Sequence, residues 1–238
     1  MVDIYDIVQD EIFDLMDNTV KIISASVLSG EGTQLIELCA NKWIRVGQSM
    51  TDIYDKEWII QSISSIGLVT VLKPTGGSDL ERNDILTIKS PKFLFGTHRS
   101  ADDEYKDRVY KDADNRNQLP LIWLVESISE TEYDYTKTKE RDSDIRLYFL
   151  DDNNPEEYMN DDYRRNVVSP MIGLKDEFIR VVQNNILFDK LVSWKTRPIT
   201  RFGNEDEKGY FENILSDNFS GVELRVTLPI FKTTRCKC

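Results

Sequence analysis

The residues of this chain that could do chemistry are mainly paired carboxylates. Four such pairs occur: Asp102-Asp103, Asp142/Asp144, Asp151-Asp152 and Asp161-Asp162. Paired carboxylates can hold a divalent metal ion or act as general acid and base. Each pair lies in a polar break of the sequence, where we expect neither a histidine nor a buried lysine beside it. We therefore interpret all four pairs as solvated loop residues and predict no metal site.

The single histidine and the three cysteines do not complete a reactive site either. His98 ends a predicted strand and is interpreted as a structural residue. Cys39 lies in an alternating apolar run and is predicted to be a small core residue, whereas Cys236 and Cys238 form an exposed, reduced tail. No serine elbow, Cys/His pair or nucleotide-binding motif occurs. The chain is therefore predicted not to be an enzyme and to need no cofactor.

Composition indicates a folded protein that is synthesised in the cytosol. The chain has 238 residues, of which 40% are hydrophobic, so it can bury a substantial core. No apolar run approaches the roughly 20 residues that cross a bilayer, and the acidic N-terminus lacks the basic start of a signal peptide. A net charge of −12 without a basic stripe disfavours tight binding to a phosphate backbone.

The charge is distributed unevenly along the chain. Residues 19–98 contain 8 Lys/Arg and 8 Asp/Glu, whereas the flanking parts contain 22 and 34. This difference indicates two modules of different character. We predict a main α+β domain formed by residues 1–18 and 99–238, and an inserted β-rich domain formed by residues 19–98.

Residues 3–17 are predicted to form an amphipathic helix. At the helical rotation of about 100° per residue, the apolar residues lie on one side. The opposite side has five aspartates: Asp3, Asp6, Asp10, Asp14 and Asp17. This acidic stripe has two interpretations, a solvated helix face or a surface that faces something negative and does not bind it.

Residues 19–98 are predicted to form a small β-barrel or sandwich, because short strands alternate with turn sequences. The predicted strands are 20–27, 33–39, 43–45, 58–64, 68–72 and 85–89. We expect this domain to have its own core around Trp43, Trp58, Ile60 and Val71.

The main domain is predicted to be an antiparallel sheet with packed helices. Residues 119–125 form an apolar run typical of a strand covered on both faces, and residues 145–150 form a second strand. Residues 221–230 alternate between apolar and polar, which predicts a half-buried strand. Ser169-Pro170 is typical of a helix start. Between that helix and the sheet we expect one cluster: Trp123, Phe149, Leu174, Phe178, Val226 and Leu228.

Two charged segments and one proline complete the sequence-based description. Residues 99–118 lack apolar periodicity and are predicted to be a loop or arm, and residues 131–143 to be a hairpin tip or mobile loop. Pro229 has no backbone N–H to donate, which makes its strand an edge strand or its end a pairing stop.

Several segments resemble neck or tail-completion proteins of tailed bacteriophages. They are Leu-Pro-Leu-Ile-Trp-Leu-Val-Glu at 119–126, Ile-Arg-Leu-Tyr-Phe-Leu-Asp at 145–151, Val-Val-Ser-Pro-Met-Ile-Gly-Leu at 167–174 and Leu-Ser-Asp-Asn-Phe-Ser-Gly-Val-Glu-Leu-Arg-Val-Thr-Leu at 215–228. The resemblance covers residues 1–18 and about 119–231, and it is greatest to the ring proteins below the portal in short-tailed, crAss-like phages. The 19–98 module departs from the compact tail-terminator plan.

The resemblance implies a virion structural protein with a tail-terminator-like main domain. Such a protein forms a homo-oligomeric ring, a dodecamer or alternatively a hexamer, that joins the portal to other neck or tail proteins and lines the DNA channel. DNA would pass without specific binding, because an acidic wall offers no partner to phosphates. The acidic stripe or the acidic loops would face the channel. The subunit contacts would include Arg99, Tyr105, Arg108, Tyr133 and Tyr135.

Two other classes of function also fit the sequence. One is a soluble adaptor or protein-binding module that grips a partner protein with the inserted β domain and has no virion role. The other is a carboxylate–metal hydrolase. Formation of a ring would distinguish the structural protein from both, and tightly bound divalent metal would favour the hydrolase.

Overall fold

The computed structural model divides the chain into two compact units. It describes residues 3–28, 32–39, 42–65, 67–111, 119–134, 139–152, 167–205, 211–215 and 218–231. The described part is mixed α+β, consists mostly of strands and contains three α-helices. The barrel unit comprises Asp17–Ser90 and Pro155–Leu174, and the sheet unit comprises Met1–Met16, Pro91–Asn154 and Lys175–Cys238.

The barrel unit contains a closed barrel of six antiparallel strands. These are β1 (Thr19–Leu28), β2 (Thr33–Leu38), β3 (Ser49–Thr51), β4 (Glu57–Ser65), β5 (Leu68–Leu72) and β6 (Ile85–Ile88), in the order β1-β2-β5-β4-β3-β6. Alternate residues point inward, as Val20 and Ile22 do on β1 and Leu86 and Ile88 do on β6. A barrel, rather than a sandwich, is therefore the architecture of this module.

The barrel core contains the four residues expected there: Trp43, Trp58, Ile60 and Val71 are all buried. The predicted strand at 43–45 is wrong, because Trp43 lies between strands and its indole Nε1 donates to Lys89 O at 3.0 Å. The third strand is Ser49–Thr51 instead. The predicted core position of Cys39 is also wrong. Leu38 points inward, so the next side chain along the chain faces outward and is exposed.

The sheet unit is built on a six-stranded sheet. Its strands are β7 (Lys92–Gly96), β8 (Leu121–Val125), β9 (Ser129–Glu132), β10 (Lys139–Asp152), β11 (Trp194–Ile199) and β14 (Phe219–Phe231). The order is β11-β14-β10-β8-β7, with β9 also paired to β10, while β12 (Gly203–Glu205) and β13 (Phe211–Asn213) form a separate hairpin. All pairs are antiparallel except β7 with β8, which is parallel.

The boundary between the two units differs from the predicted one. The predicted inserted domain ends at residue 98, but strand β7 pairs with β8 and belongs to the sheet unit. The barrel unit also includes Pro155–Leu174, from a much later part of the chain. Neither feature has a local sequence signal, because both depend on contacts between distant segments.

Helix α2 (His98–Lys111) connects the parallel strands β7 and β8. The predicted loop or arm is therefore wrong up to residue 111, and residues 112–118 lie outside the described residues. Acid–base pairs four residues apart line the exposed side of the helix: Asp102–Lys106, Glu104–Arg108 and Asp107–Lys111. The buried residues of α2 are Ala101 and Tyr105, a stripe too narrow to appear as apolar periodicity. A parallel pair needs such a crossover, which the local pattern did not indicate.

An apolar layer on one sheet face packs around Trp123. Its indole ring stacks on Tyr148 and lies at right angles to Phe202. Leu94 of β7, Tyr105 of α2 and Phe219 of β14 belong to the same cluster. Because Trp123 and Tyr148 are directly paired across β8 and β10, they point to this face together.

A second apolar layer covers the opposite sheet face. Phe149 follows Tyr148 on β10 and so points the other way, where its ring lies 5.9 Å from the ring of Phe178. Phe178 belongs to α3 (Ser169–Asn184), the helix predicted from Ser169-Pro170. The prediction of a single cluster is therefore wrong for Trp123, which lies on the other face of the sheet.

Helix α1 (Ile4–Glu11) packs on the same face as Phe178. The ring of Tyr5 lies 5.9 Å from Phe93 and 4.9 Å from Phe95, two residues of β7 that point away from the Trp123 layer. Asn185 Nδ2 donates to Glu11 O at 2.8 Å, which joins α1 to the segment after α3. The helix is shorter than the predicted 3–17, and a separate 3₁₀ turn follows at Phe13–Leu15.

Strand β14 is an inner strand of the sheet. It lies between β11 and β10, so the edge-strand interpretation of Pro229 is wrong. The alternative of a pairing stop is also wrong, because pairing with β10 continues past Pro229 to Phe231 and Phe188 bridges Ile230 on the other side. The charged segment at 131–143 forms a hairpin between β9 and β10, and its residues 135–138 lie outside the described residues.

Candidate functional site

The five aspartates of the predicted acidic stripe do not share one helix face. Asp3 is the N-cap of α1, and its Oδ1 accepts a hydrogen bond from Tyr5 N at 3.0 Å. Asp6 and Asp10 lie one turn apart on the exposed side of α1, and Asp14 lies exposed on the 3₁₀ turn. Asp17 belongs to the barrel unit. The helix ends at Glu11, so the stripe is limited to its first two turns.

Asp17 forms an ion pair inside the barrel unit instead. Lys42 Nζ lies 2.7 Å from Asp17 Oδ2, and the Thr19 backbone N–H and hydroxyl donate to Asp17 Oδ1 at 2.9 and 2.7 Å. Partial burial would raise the pKa of Asp17, but the hydrogen bonds from Lys42 and Thr19 outweigh it and lower the pKa to about 2. Asp17 is thus a structural residue of the barrel.

The predicted subunit contacts on α2 have different environments. Arg99 is exposed. Tyr105 is buried, with its ring 5.3 Å from Phe219, so its side chain is not a surface contact. Arg108 is half-buried, and its Nη1 donates to Phe93 O at 3.1 Å. Because α2 is a helix, successive side chains point in different directions, and Arg99, Tyr105 and Arg108 do not form one surface.

The two predicted tyrosine contacts lie in the β9–β10 hairpin. The Tyr133 hydroxyl donates to Asp142 Oδ2 at 2.6 Å, and this hydrogen bond raises the pKa of Tyr133. Tyr135 lies outside the described residues. The Tyr133 hydroxyl is therefore hydrogen-bonded within the β9–β10 hairpin itself.

The paired carboxylates are not assembled into a metal site in the described part of the chain. No three His, Cys, Asp or Glu side chains there are arranged as metal ligands. Asp142 is hydrogen-bonded to Tyr133, and Asp144 accepts a hydrogen bond from the Thr227 hydroxyl. His98 lies edge-on to Trp123, with its ring centroid 5.2 Å away. Within the same residues, no helix has both the length and the apolar character needed to cross a membrane.

A cavity of about 550 Å³ lies on the Trp123 face of the sheet, and we call it the arginine cavity. Four arginines line it: Arg146 of β10, Arg197 of β11, Arg225 of β14 and Arg201, which follows β11. Tyr148 and Phe202 supply an aromatic part of the wall. A strongly acidic chain thus concentrates positive charge at one place.

Glu223 lies beneath these arginines and is only 2% exposed. Its Oε1 is 2.7 Å from Arg225 Nε and 3.1 Å from Arg146 Nε, and its Oε2 is 2.8 Å from Arg197 Nε. Strand register produces this arrangement, because Glu223 is paired with Tyr148 on one side and with Arg197 on the other. A buried carboxylate requires such partners, since removing a charge from water is costly.

The arginine cavity retains positive charge after Glu223 is neutralised. Three of the arginines contact this one carboxylate, which leaves an excess of two positive charges among the four residues of that cluster. The Nε atoms of Arg146, Arg197 and Arg225 make these contacts with Glu223. Burial raises the pKa of the Tyr148 hydroxyl, and Glu223 adds to the shift while the arginines oppose it. The cavity can therefore accept an anionic group.

Sequence reasoning missed this site for a physical reason. Alternation puts Glu223 and Arg225 on the polar side of the last strand, and a polar side by itself predicts contact with solvent. Arg146 and Arg197 join them only through pairing between strands distant in sequence. One sequence signal for this site was available. Glu223 and Arg225 lie two residues apart in an otherwise apolar strand, so they point to the same face, and a buried charge on such a face requires a partner.

Comparison with known proteins does not assign this chain to a protein family. No family model, curated protein or solved structure matches this chain. The class that the fold defines is a mixed α+β protein with a closed six-stranded barrel.

Proposed function

We propose that this protein is a virion structural protein of a tailed bacteriophage. It forms a ring in the neck or tail, connects the portal to the tail and surrounds the passing DNA. The resemblance of four segments to phage neck proteins motivates this function. The same resemblance motivates a tail-terminator-like role for the sheet unit. The observation that best supports it is the exposed edge strand β11.

Strand β11 offers a surface for contact with a neighbouring subunit. It is an edge of the six-stranded sheet, and its residues are exposed apart from Ile199. Val192, just before the strand, is 97% exposed, and the large apolar ring of Trp194 is also exposed. Sheet edges and exposed apolar groups favour association with another chain. A head-to-tail contact of this kind generates a ring when its rotation closes.

The charge of the chain suits a DNA channel. A net charge of −12 gives passing DNA no set of phosphate partners, so movement is not slowed by salt-dependent adhesion. A positively charged bore would retain the polyanion. The ring therefore guides DNA without gripping it.

A density map of the particle that contains this protein tests the function. We expect the chain in a ring on the portal–tail axis. In reconstituted assembly, Val192→Lys should abolish rings, whereas Tyr110→Lys, which alters an exposed tyrosine on α2, should leave them intact. Location of the chain outside any axial ring, for example as an internal monomer or a capsid decoration, contradicts the proposal.

One observation on the barrel favours a second function. In this function the protein is a soluble adaptor that binds a partner protein through the barrel. Ile53 and Tyr54 lie on the turn between β3 and β4, and Tyr54 is 73% exposed. Two adjacent exposed apolar side chains are typical anchors for a protein partner. Tyr54→Lys separates the two functions, because it should eliminate adaptor binding and leave ring formation unchanged.

A further inference from the structure

We propose that the arginine cavity binds the acidic face of helix α1, formed by Asp6 and Asp10, from a second copy of this chain. This inference rests on the proposed ring and identifies the contact between its subunits. The cavity is next to the exposed edge strand β11, since Arg197 belongs to that strand and lines the cavity.

The chemistry of the cavity fits carboxylates. Its guanidinium groups already bind one carboxylate, Glu223, through Nε atoms at 2.7–3.1 Å. Their planar forks match the geometry of further carboxylate oxygens. Arg197 and Arg225 are both more than half exposed, so an incoming group can reach them.

The acidic face of α1 supplies matching groups. Asp6 and Asp10 are exposed and four residues apart, so they project from the same side of the helix. The first basic residue of the chain is Lys21, so no base on α1 neutralises them. On α2, by contrast, three acids are each paired with a base one turn later. Among the acidic faces of the described helices, that of α1 therefore retains its negative charge, which is opposite in sign to the charge of the cavity.

The two surfaces cannot meet within one chain. Tyr5 of α1 packs on Phe93 and Phe95, on the sheet face opposite to Leu94 and the Trp123 layer. The arginine cavity lies on the Trp123 face. Contact between α1 and the cavity therefore requires a neighbouring copy, and repetition of such a head-to-tail contact gives a ring or a filament.

A long nucleic acid is the less favoured occupant. Glu223 and its three arginine partners provide a local excess of two positive charges, whereas the whole chain has a net charge of −12. A polyanion that reached the arginines would extend over surfaces that repel it. A short helix with two carboxylates satisfies the cavity without that repulsion. In the ring, α1 then lies between subunits, and other acidic segments face the channel.

Sedimentation velocity of the full chain over a wide concentration range tests this contact. We expect wild-type self-association that weakens at high salt, because the contact is electrostatic. Two variants should each weaken it at least about tenfold. One is Arg197→Gln with Arg201→Glu, which lowers the positive charge of the residues that line the cavity, and the other is Asp6→Lys with Asp10→Lys.

Mixing the two variants is the specific part of the test. The cavity variant retains an intact α1 and the α1 variant retains an intact cavity, so together they should form a dimer that does not extend. Matched controls change charge by the same amount elsewhere: Lys190→Glu with Lys56→Gln for the cavity variant, and Glu57→Lys with Glu81→Lys for the α1 variant. Both controls should associate like wild type. If the double cavity variant loses its circular-dichroism signal, Arg201→Glu alone replaces it, since the contact of Arg197 with Glu223 is then left in place.

Three results would overturn the inference. They are a wild-type chain that stays monomeric at the highest concentration, self-association that neither variant changes, and binding of labelled duplex DNA that the cavity variant abolishes while self-association persists. The particle map separates this inference from the proposed function. An axial ring whose subunits do not bring α1 to the arginine cavity retains the ring and refutes this contact, whereas a map without such a ring refutes the function itself.

Discussion

At the residue scale, Gly221 marks a very close approach of two strands. It is paired with Leu150 across β14 and β10, and a Cβ added there would lie 1.9 Å from Phe149 O and 3.1 Å from Leu150 Cα. Backbone atoms of an inner strand cannot move away as a flexible side chain can. Glycine is therefore required at this position by the distance between the strands.

We predict that Gly221→Ala destabilises the sheet unit by about 3 kcal/mol, because overpacking forces the backbones of β14 and β10 apart. Urea denaturation followed by circular dichroism measures the change. A midpoint equal to that of wild type would show that the strands accommodate the methyl group.

The Asp17–Lys42 pair predicts a pH dependence. The pKa of Asp17 is about 2 in the folded chain, below about 3.9 in an unfolded one, so its charge contributes stability above pH 4. This contribution is lost as the pH falls from about 4 to about 2. Because the Asp17 carboxyl is about half exposed, water screens the pair and we expect about 0.5–1 kcal/mol.

Asp17→Asn should therefore be less stable than wild type at pH 6, and the difference should vanish near pH 2. Thermal unfolding at a series of pH values measures both curves. Asp14→Asn, at an exposed aspartate on the 3₁₀ turn, should stay within about 0.5 kcal/mol of wild type at pH 6. A constant difference between Asp17→Asn and wild type down to pH 2 would exclude the charge as the cause.

At the scale of elements, α2 shows how a helix can form with little apolar signal. Its exposed side has acid–base pairs, and its contact with the sheet depends mainly on Tyr105, which packs on Phe219. Five residues later, Tyr110 is 90% exposed. The same helix thus provides both a buried tyrosine and an exposed one.

Tyr105→Ala should cost about 3–5 kcal/mol in the free energy of unfolding, as truncation of a large buried aromatic residue does. Tyr110→Ala should change it by less than about 0.5 kcal/mol. Chemical denaturation of both variants makes the comparison. Equal, small effects would support the loop that the sequence suggested for this segment.

At the scale of the whole molecule, each unit has its own buried layer. Ile60 is buried in the barrel, and Phe178 packs on Phe149 in the sheet unit. Compact units with separate cores tend to open separately. The uneven charge predicts two modules with other boundaries, of which the inserted one comprises residues 19–98.

Calorimetry of two variants tests this separation. We predict two unfolding transitions, with Ile60→Ala lowering the midpoint of one and Phe178→Ala lowering the midpoint of the other. Each substitution should cost about 2–5 kcal/mol, because each leaves a cavity in a buried layer. A single transition that both variants shift equally would show that the chain unfolds as one cooperative body.

The sequence by itself determined the features that depend on local periodicity. Alternation placed Val222, Leu224 and Val226 on one face of the last strand, and all three are buried. The barrel strand at Leu68–Leu72 was identified from the same pattern. Burial imposes a period of two on a strand, so these elements leave a direct trace in the order of residues.

Only the tertiary structure decided which elements meet. Trp123 joined the layer beneath α2 because β8 pairs with β10 in one register, and a shift of one residue would have turned it to the other face. The arginine cavity arose in the same way, since register brings Arg146, Arg197 and Arg225 to Glu223. Pairing of distant strands is set by the packing of the whole core, and no local segment of the sequence contains that information.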